Sequence, residues 1–109
     1  MIIIRKLYIV RTTREFNDII ENGNCIKNKC FVIHYLNNNL PYDRFGISVS
    51  KKLGNAVFRN KYKRKMRSII DNYKKDYINH RDYIIILRKE AVSKSYAELN
   101  KEFLNLMHK

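Results

Sequence analysis

From Asn55 to about Lys75 the chain places apolar side chains at helical spacing, while the first half of that stretch is otherwise almost purely cationic. Phe58, Tyr62, Met66, Ile69, Ile70 and Tyr73 fall on one stripe of a helix with about 3.6 residues per turn. A stripe of that size must be buried, so a long helix lying on a second layer is the strongest constraint on the fold. Between Lys51 and Arg67 there are eight basic residues and no acidic one: Lys51, Lys52, Arg59, Lys61, Lys63, Arg64, Lys65 and Arg67. Arg59, Lys63 and Arg67 form one row on the helix surface, and Asn60 and Arg64 form the row beside it. Charged helix faces ordinarily mix acids and bases so that i,i+4 neighbours attract. Here those neighbours repel, which costs stability in the free protein. The alternatives are a polyanionic partner and a merely solvated face, and the unpaired charge favours the partner.

The rest of the chain has the same bias. Its 109 residues carry a net charge of +13, from 23 basic and 10 acidic side chains. A chain this long builds one core, so residues 1–109 are expected to form a single domain. Nucleic acid is the first candidate partner and an anionic membrane surface the second. Against the membrane, the apolar run Met1–Ile4 is cut off by Arg5 and Lys6, far short of a bilayer span. It also lacks the basic start and small-residue cleavage site of a signal peptide, so the expected location is the cytoplasm. Cys25 and Cys30 are the only cysteines. Their spacing suits half a metal site, but His34, His80 and His108 do not complete it, and reduced structural thiols are expected instead.

Other segments read as short elements. Thr12 with Glu15 forms a capping box for a helix over Thr12–Glu21, with Phe16, Ile19 and Ile20 on one face and Gly23 as its stop. Phe31–Leu36 reads as a strand. Asn37–Pro41 reads as a loop. Arg44–Ser50 alternates, with Phe45, Ile47 and Val49 opposite Arg44, Gly46, Ser48 and Ser50, and is expected to pair with the preceding strand as a hairpin. Tyr83–Leu87 is continuously apolar and reads as a buried central strand. Ser95 with Glu98 caps a last helix, whose stripe is Tyr96, Leu99, Phe103 and Met107. The order predicts an α+β fold: one mostly antiparallel sheet of about four strands packed with three helices. The passage from Arg44 to Leu87 is long enough for a parallel βαβ crossover.

The segment Ser48–Arg67, reading SVSKKLGNAVFRNKYKRKMR, resembles the signature of the bacterial ribonuclease P protein family. Its elements are Lys51-Lys52, Gly54-Asn55-Ala56-Val57, Arg59-Asn60, Lys63-Arg64 and Arg67. The resemblance continues in Glu15-Phe16, Gly23, Phe31-Val32 and the run Ile84-Ile85-Ile86-Leu87-Arg88-Lys89. Two departures stand out. Ile20 occupies a position where the family usually has a second aromatic, and His34 stands where a Tyr is common.

The resemblance implies a left-handed crossover and an accessory subunit of an endoribonuclease, one protein per catalytic RNA, that helps remove the 5′ leader of precursor tRNA. Catalysis and the Mg²⁺ ions would belong to the RNA, leaving no catalytic or metal-binding residue and no cofactor on the protein. It implies contacts to the catalytic RNA by Lys51, Lys52, Arg59, Asn60, Lys63, Arg64 and Arg67, and a leader cleft at Phe16, Ile20, His34, Arg88 and Lys89. Phe16 and Ile20 also suit plain core, and Arg88-Lys89 a solvated strand end. Two rival functions remain open from the residues: a ribosome-associated binding protein, which shares the charge but has no need of the signature, and a stand-alone nuclease, which needs acids or a His pair that are not visible as a motif.

Overall fold

A computed structural model describes residues 13–108. Its elements are α1 (Thr13–Asn22), β1 (Asn24–Lys27), β2 (Phe31–Asn37), β3 (Arg44–Ser48), α2 (Ala56–Lys74), β4 (Arg81–Leu87) and α3 (Tyr96–Met107), with 3-10 turns at Lys51–Leu53 and Lys89–Ser93. The strands form one sheet in the order β1-β2-β4-β3. β1 and β4 both run antiparallel to β2, and β3 runs parallel to β4. The fold is α+β, as the order of elements predicts, and α2 is the crossover between the two parallel strands.

The expected hairpin between β2 and β3 does not form, because β4 lies between them. The intervening loop is instead pinned across the start of β4. Asn38 N–H donates to the His80 carbonyl at 2.8 Å, and its side chain donates to Asp82 at 2.7 Å. The buried Asp43 carboxylate accepts from the backbone N–H of Asn79 at 3.0 Å and of Arg81 at 2.8 Å. These bonds carry the chain past β4, so β3 can pair on its far edge. The continuous apolar run of β4 is thereby covered on both faces and bonded on both sides, which suits its lack of alternation.

One sheet face carries the main core. Phe31, Ile33, Phe45, Tyr83, Ile85 and Leu87 pack there with Tyr62, Met66, Ile69, Ile70 and Tyr73 of α2 and with Leu99, Phe103 and Leu106 of α3. Phe58, at the start of the α2 stripe, is only half-buried. In α3 the stripe is turned slightly from expectation: Leu106 is buried, Met107 half-buried and Tyr96 exposed. Asn55 caps α2 by accepting from Phe58 N–H at 2.9 Å. The Ser95–Glu98 capping box is present in both directions, and those hydrogen bonds hold the Glu98 carboxyl below its usual range. The cap assigned to Thr12 lies outside the described residues.

Among the described residues, the other sheet face carries only α1. Ile19 and Ile84 are buried there, with Phe16, Leu36 and Ile86 against them. Gly23 N–H closes the helix on the Ile19 carbonyl at 2.9 Å. A side chain at Gly23 would lie 2.3 Å from the Tyr35 carbonyl oxygen, so close approach to β2 requires glycine there.

Candidate nucleic-acid interface

Two surfaces collect the residues singled out by sequence. The first is the outer flank of α2. Tyr62 hydroxyl donates to the Val92 carbonyl at 2.8 Å, and Ser68 is hydrogen-bonded to Tyr96 at 2.8 Å, so the turn at Lys89–Ser93 and α3 occupy one side of the helix. Helical geometry puts Lys63, Arg67, Asn60 and Arg64 on the other side. Asn60, Arg64 and Arg67 are exposed, and Lys63 is half-buried at the margin of the core stripe. Among the described residues no acid pairs with Arg59, Lys63, Arg64 or Arg67. Arg59 departs from the surface row that helical spacing predicts. It is half-buried between stripe and open flank, and its Nε is shielded without a hydrogen-bond partner. Lys51 and Lys52 are exposed on the turn leading into α2, where Ser50 Oγ accepts from Lys52 N–H at 3.1 Å. Lys65 is turned away from this flank, its ammonium 4.6 Å from the Tyr62 ring centre.

The second surface is the part of the sheet that α1 leaves uncovered. Strand register sets three rows across that face: Leu36-Asp82-Arg44, His34-Ile84-Gly46 and Val32-Ile86-Ser48. Arg44 donates bidentately to Asp82, at 2.9 and 2.6 Å, and also to Glu15 of α1 at 2.8 Å. These bonds raise the Arg44 pKa despite partial burial and fix the Glu15 side of α1 over the first row. Phe16 sits on the middle row with its ring against Gly46. Ile20, one turn on, therefore lies on the flank facing the third row. It is 42% exposed, which decides against a core role.

Register and helix geometry together outline a candidate groove, with Phe16 and Ile20 as wall, half-buried His34 beside them, and half-buried Val32, Ile86 and Ser48 as floor. Arg88 and Lys89, both exposed, follow the end of β4, and Arg88 donates to the Asn28 carbonyl at 3.0 Å. Because β3 and β4 are parallel, the basic turn after β3 leaves the sheet at the same edge as Arg88. Sequence reasoning missed the floor residues Val32, Ile86 and Ser48. Their signal was the period-two relation of Val32 to His34 and of Ser48 to Gly46.

Two of the acids are already engaged by other groups. Asp82 is engaged by Arg44 and Asn38, and Asp43 by backbone amides. Among the described residues no group of three or more His, Cys, Asp or Glu stands close enough to hold an ion. Cys25 is exposed and Cys30 buried, both as free thiols, and burial raises the Cys30 pKa. Among the described residues no helix is long and apolar enough to cross a membrane.

The ribonuclease P family model matches residues 4–109. The chain belongs to the ribonuclease P protein family. The ribonuclease P protein component of Streptococcus pneumoniae is 39% identical over 103 residues, spanning 94% of this chain and 84% of the relative. The solved ribonuclease P protein of Staphylococcus aureus superposes with a TM-score of 0.86 at 33% identity, covering 93% of each chain. That of Thermotoga maritima gives 0.84 at 31% identity, covering 90% of this chain and 93% of its own. As a ribonuclease P protein, the chain is a subunit of the endoribonuclease holoenzyme that processes the 5′ end of tRNA, with RNA as its partner in the ribonucleoprotein.

Proposed function

We propose that the two surfaces divide the work of this subunit. The outer flank of α2 and the turn before it, through Lys51, Lys52, Arg59, Asn60, Lys63, Arg64 and Arg67, bind the catalytic RNA. The groove of Phe16, Ile20, His34, Arg88 and Lys89 holds the 5′ leader of precursor tRNA. The observation carrying this division is the contrast between them: a convex, unpaired cationic ridge on one side, and a half-apolar groove ending in cations on the other.

The chemistry follows from those surfaces. Arginine presents a planar fork matched to phosphate oxygens, and Asn60 both donates and accepts, so it suits a sugar hydroxyl or base edge. A base stacked on the Phe16 ring contributes ~1–3 kcal/mol, while leader phosphates meet Arg88 and Lys89. Ile20 and His34 stack less well than two full aromatics, so leader recognition is expected to depend weakly on sequence. The chain supplies no general base and no metal ligand in this scheme. Residues 1–109 act as one RNA-binding unit in the cytoplasm, one protein per RNA, with the hydrolytic Mg²⁺ held by the RNA.

Reconstitution tests the reading. Purified protein is added to a ribonuclease P RNA and precursor tRNA at low Mg²⁺. Cleavage at the mature 5′ end is expected only when protein and RNA are both present. Cleavage by the protein alone would make it a stand-alone nuclease, and no gain over RNA alone would remove the assisting role.

A further inference from the structure

Gly46 stands in the interior of β3, where glycine is a poor choice. It costs roughly 0.5–1 kcal/mol relative to alanine in a strand. Its backbone does not explain it, since Gly46 does not lie in the left-handed φ region that favours glycine. The reason lies across the sheet face. A Cβ on residue 46 would stand 2.7 Å from Cζ of Phe16, 3.1 Å from Cε2 and 3.4 Å from Cε1. Carbon atoms pack at about 3.5–4.0 Å, so the ring tip occupies the space a methyl group would fill.

β3 thus grips α1 at two adjacent points on one face. Arg44 holds Glu15 by an ion pair of 2.8 Å, and Gly46 receives the ring of Phe16, the next residue along. The ion pair fixes where the helix lies along the strand, and the missing side chain fixes how deep the ring sinks. Phe16 is also the aromatic wall of the groove, so ring depth sets the height at which a base can stack above Val32 and Ile86.

We propose that Gly46 is a specificity-determining residue: by seating the Phe16 ring it sets the geometry of the leader groove, without touching RNA itself. This rests on the assignment of that groove to the leader. A methyl group at residue 46 pushes the ring out by roughly 1 Å to reach ordinary contact distance. The displaced ring then intrudes on the space left for the leader.

The test is made in the assembled holoenzyme, comparing affinity for precursor tRNA bearing a leader of several nucleotides with affinity for mature tRNA. Four proteins are used: wild type, Phe16→Ala, Gly46→Ala and the double variant, each with its melting temperature recorded. Loss of one stacked base lowers the precursor preference about 5-fold or more. The expected result is that Phe16→Ala and Gly46→Ala both lose preference to that extent, and that the double variant matches Phe16→Ala. Affinity for mature tRNA and for the catalytic RNA stays near wild type throughout, a pattern that a general loss of stability does not produce. Retained preference in folded Gly46→Ala, with loss in Phe16→Ala, overturns the proposal while leaving the groove assignment intact. Retained preference in Phe16→Ala overturns both. Should Gly46→Ala alone fail to fold, the comparison between Phe16→Ala and the double variant decides. Equal preference supports action through the ring, and a further loss overturns it, because residue 46 would then be acting on the RNA directly.

Discussion

Arg64→Ala is expected to weaken RNA binding while leaving folding intact or slightly improved. Arg64 is exposed on the open flank of α2, with Lys61 and Arg67 three residues to either side and, among the described residues, no acid paired to it. Removing it relieves up to two repulsive helix pairs, each worth ~0.2–0.5 kcal/mol. Alanine is also the better helix former by a few tenths of a kcal/mol. Stability therefore changes by ~0 to +1 kcal/mol, and the melting temperature holds or rises by a few degrees. Binding moves the other way. A charge-assisted hydrogen bond is worth ~1.5–3 kcal/mol, so affinity for the catalytic RNA should fall on the order of 10- to 100-fold. One fewer neutralised phosphate should also flatten the slope of log K against log salt by ~0.7–0.9. Filter binding across a series of monovalent salt concentrations, beside calorimetric melting, reads all three quantities. Equal affinity and equal salt slope in variant and wild type would refute the placement of Arg64 on the RNA-facing flank.

Three further outcomes are expected. Met66→Ala, two residues from Arg64 but fully buried, should cost ~2–5 kcal/mol. At roughly 4 °C per kcal/mol its melting temperature should drop visibly, and an unchanged one would contradict the observed phase of α2. Millimolar sulfate or pyrophosphate should raise the melting temperature of the free protein, since an anion bound only by the native state stabilises it by mass action; a flat response would argue against a concentrated anion surface. Burial pushes the Tyr83 hydroxyl up to about 12, with Tyr73 raised for the same reason. The unfolded chain loses these protons near pH ~10, so stability is fully present below that pH and lost as pH rises through the folded value. Alkaline unfolding followed with tyrosine ionisation should coincide there, and early ionisation in a still-folded protein would contradict the burial.

What the sequence disclosed and what it withheld divide along the range of the interactions. α2, β4 and α3 were readable because each is specified by its own residues: the stripe from Tyr62 to Tyr73, the apolar run of β4, and the Ser95–Glu98 box. The strand order was not, because adjacent strands usually pair and nothing local in the loop after β2 announces that Asn38 and Asp43 will bond to residues near the start of β4. β1 is four mostly exposed residues, too short for a clear alternation to register. The basic residues were all named, but the partial burial of Arg59 depends on how closely α2 lies to the core. The groove proposed for the leader was named as a set of residues and not as a shape. Its floor depends on register between strands, and its aromatic wall on a glycine that looked like an ordinary outward position of β3.

Of the two inner strands of the sheet, β4 is also the last strand to be synthesised. Until β4 has emerged, β2 and β3 have no common neighbour, and α2 has only half a sheet on which to lay its apolar side. Pairings this distant along the chain form late, because the closure of a long loop has to be met before they return anything. A ribosome that has released residues only through α2 is therefore holding an amphipathic, cationic segment with no completed core beneath it. Cotranslational assembly is then concerted rather than stepwise, with the exposed strands vulnerable to aggregation in the interval. A C-terminal deletion that removes β4 is expected to abolish the fold as a whole.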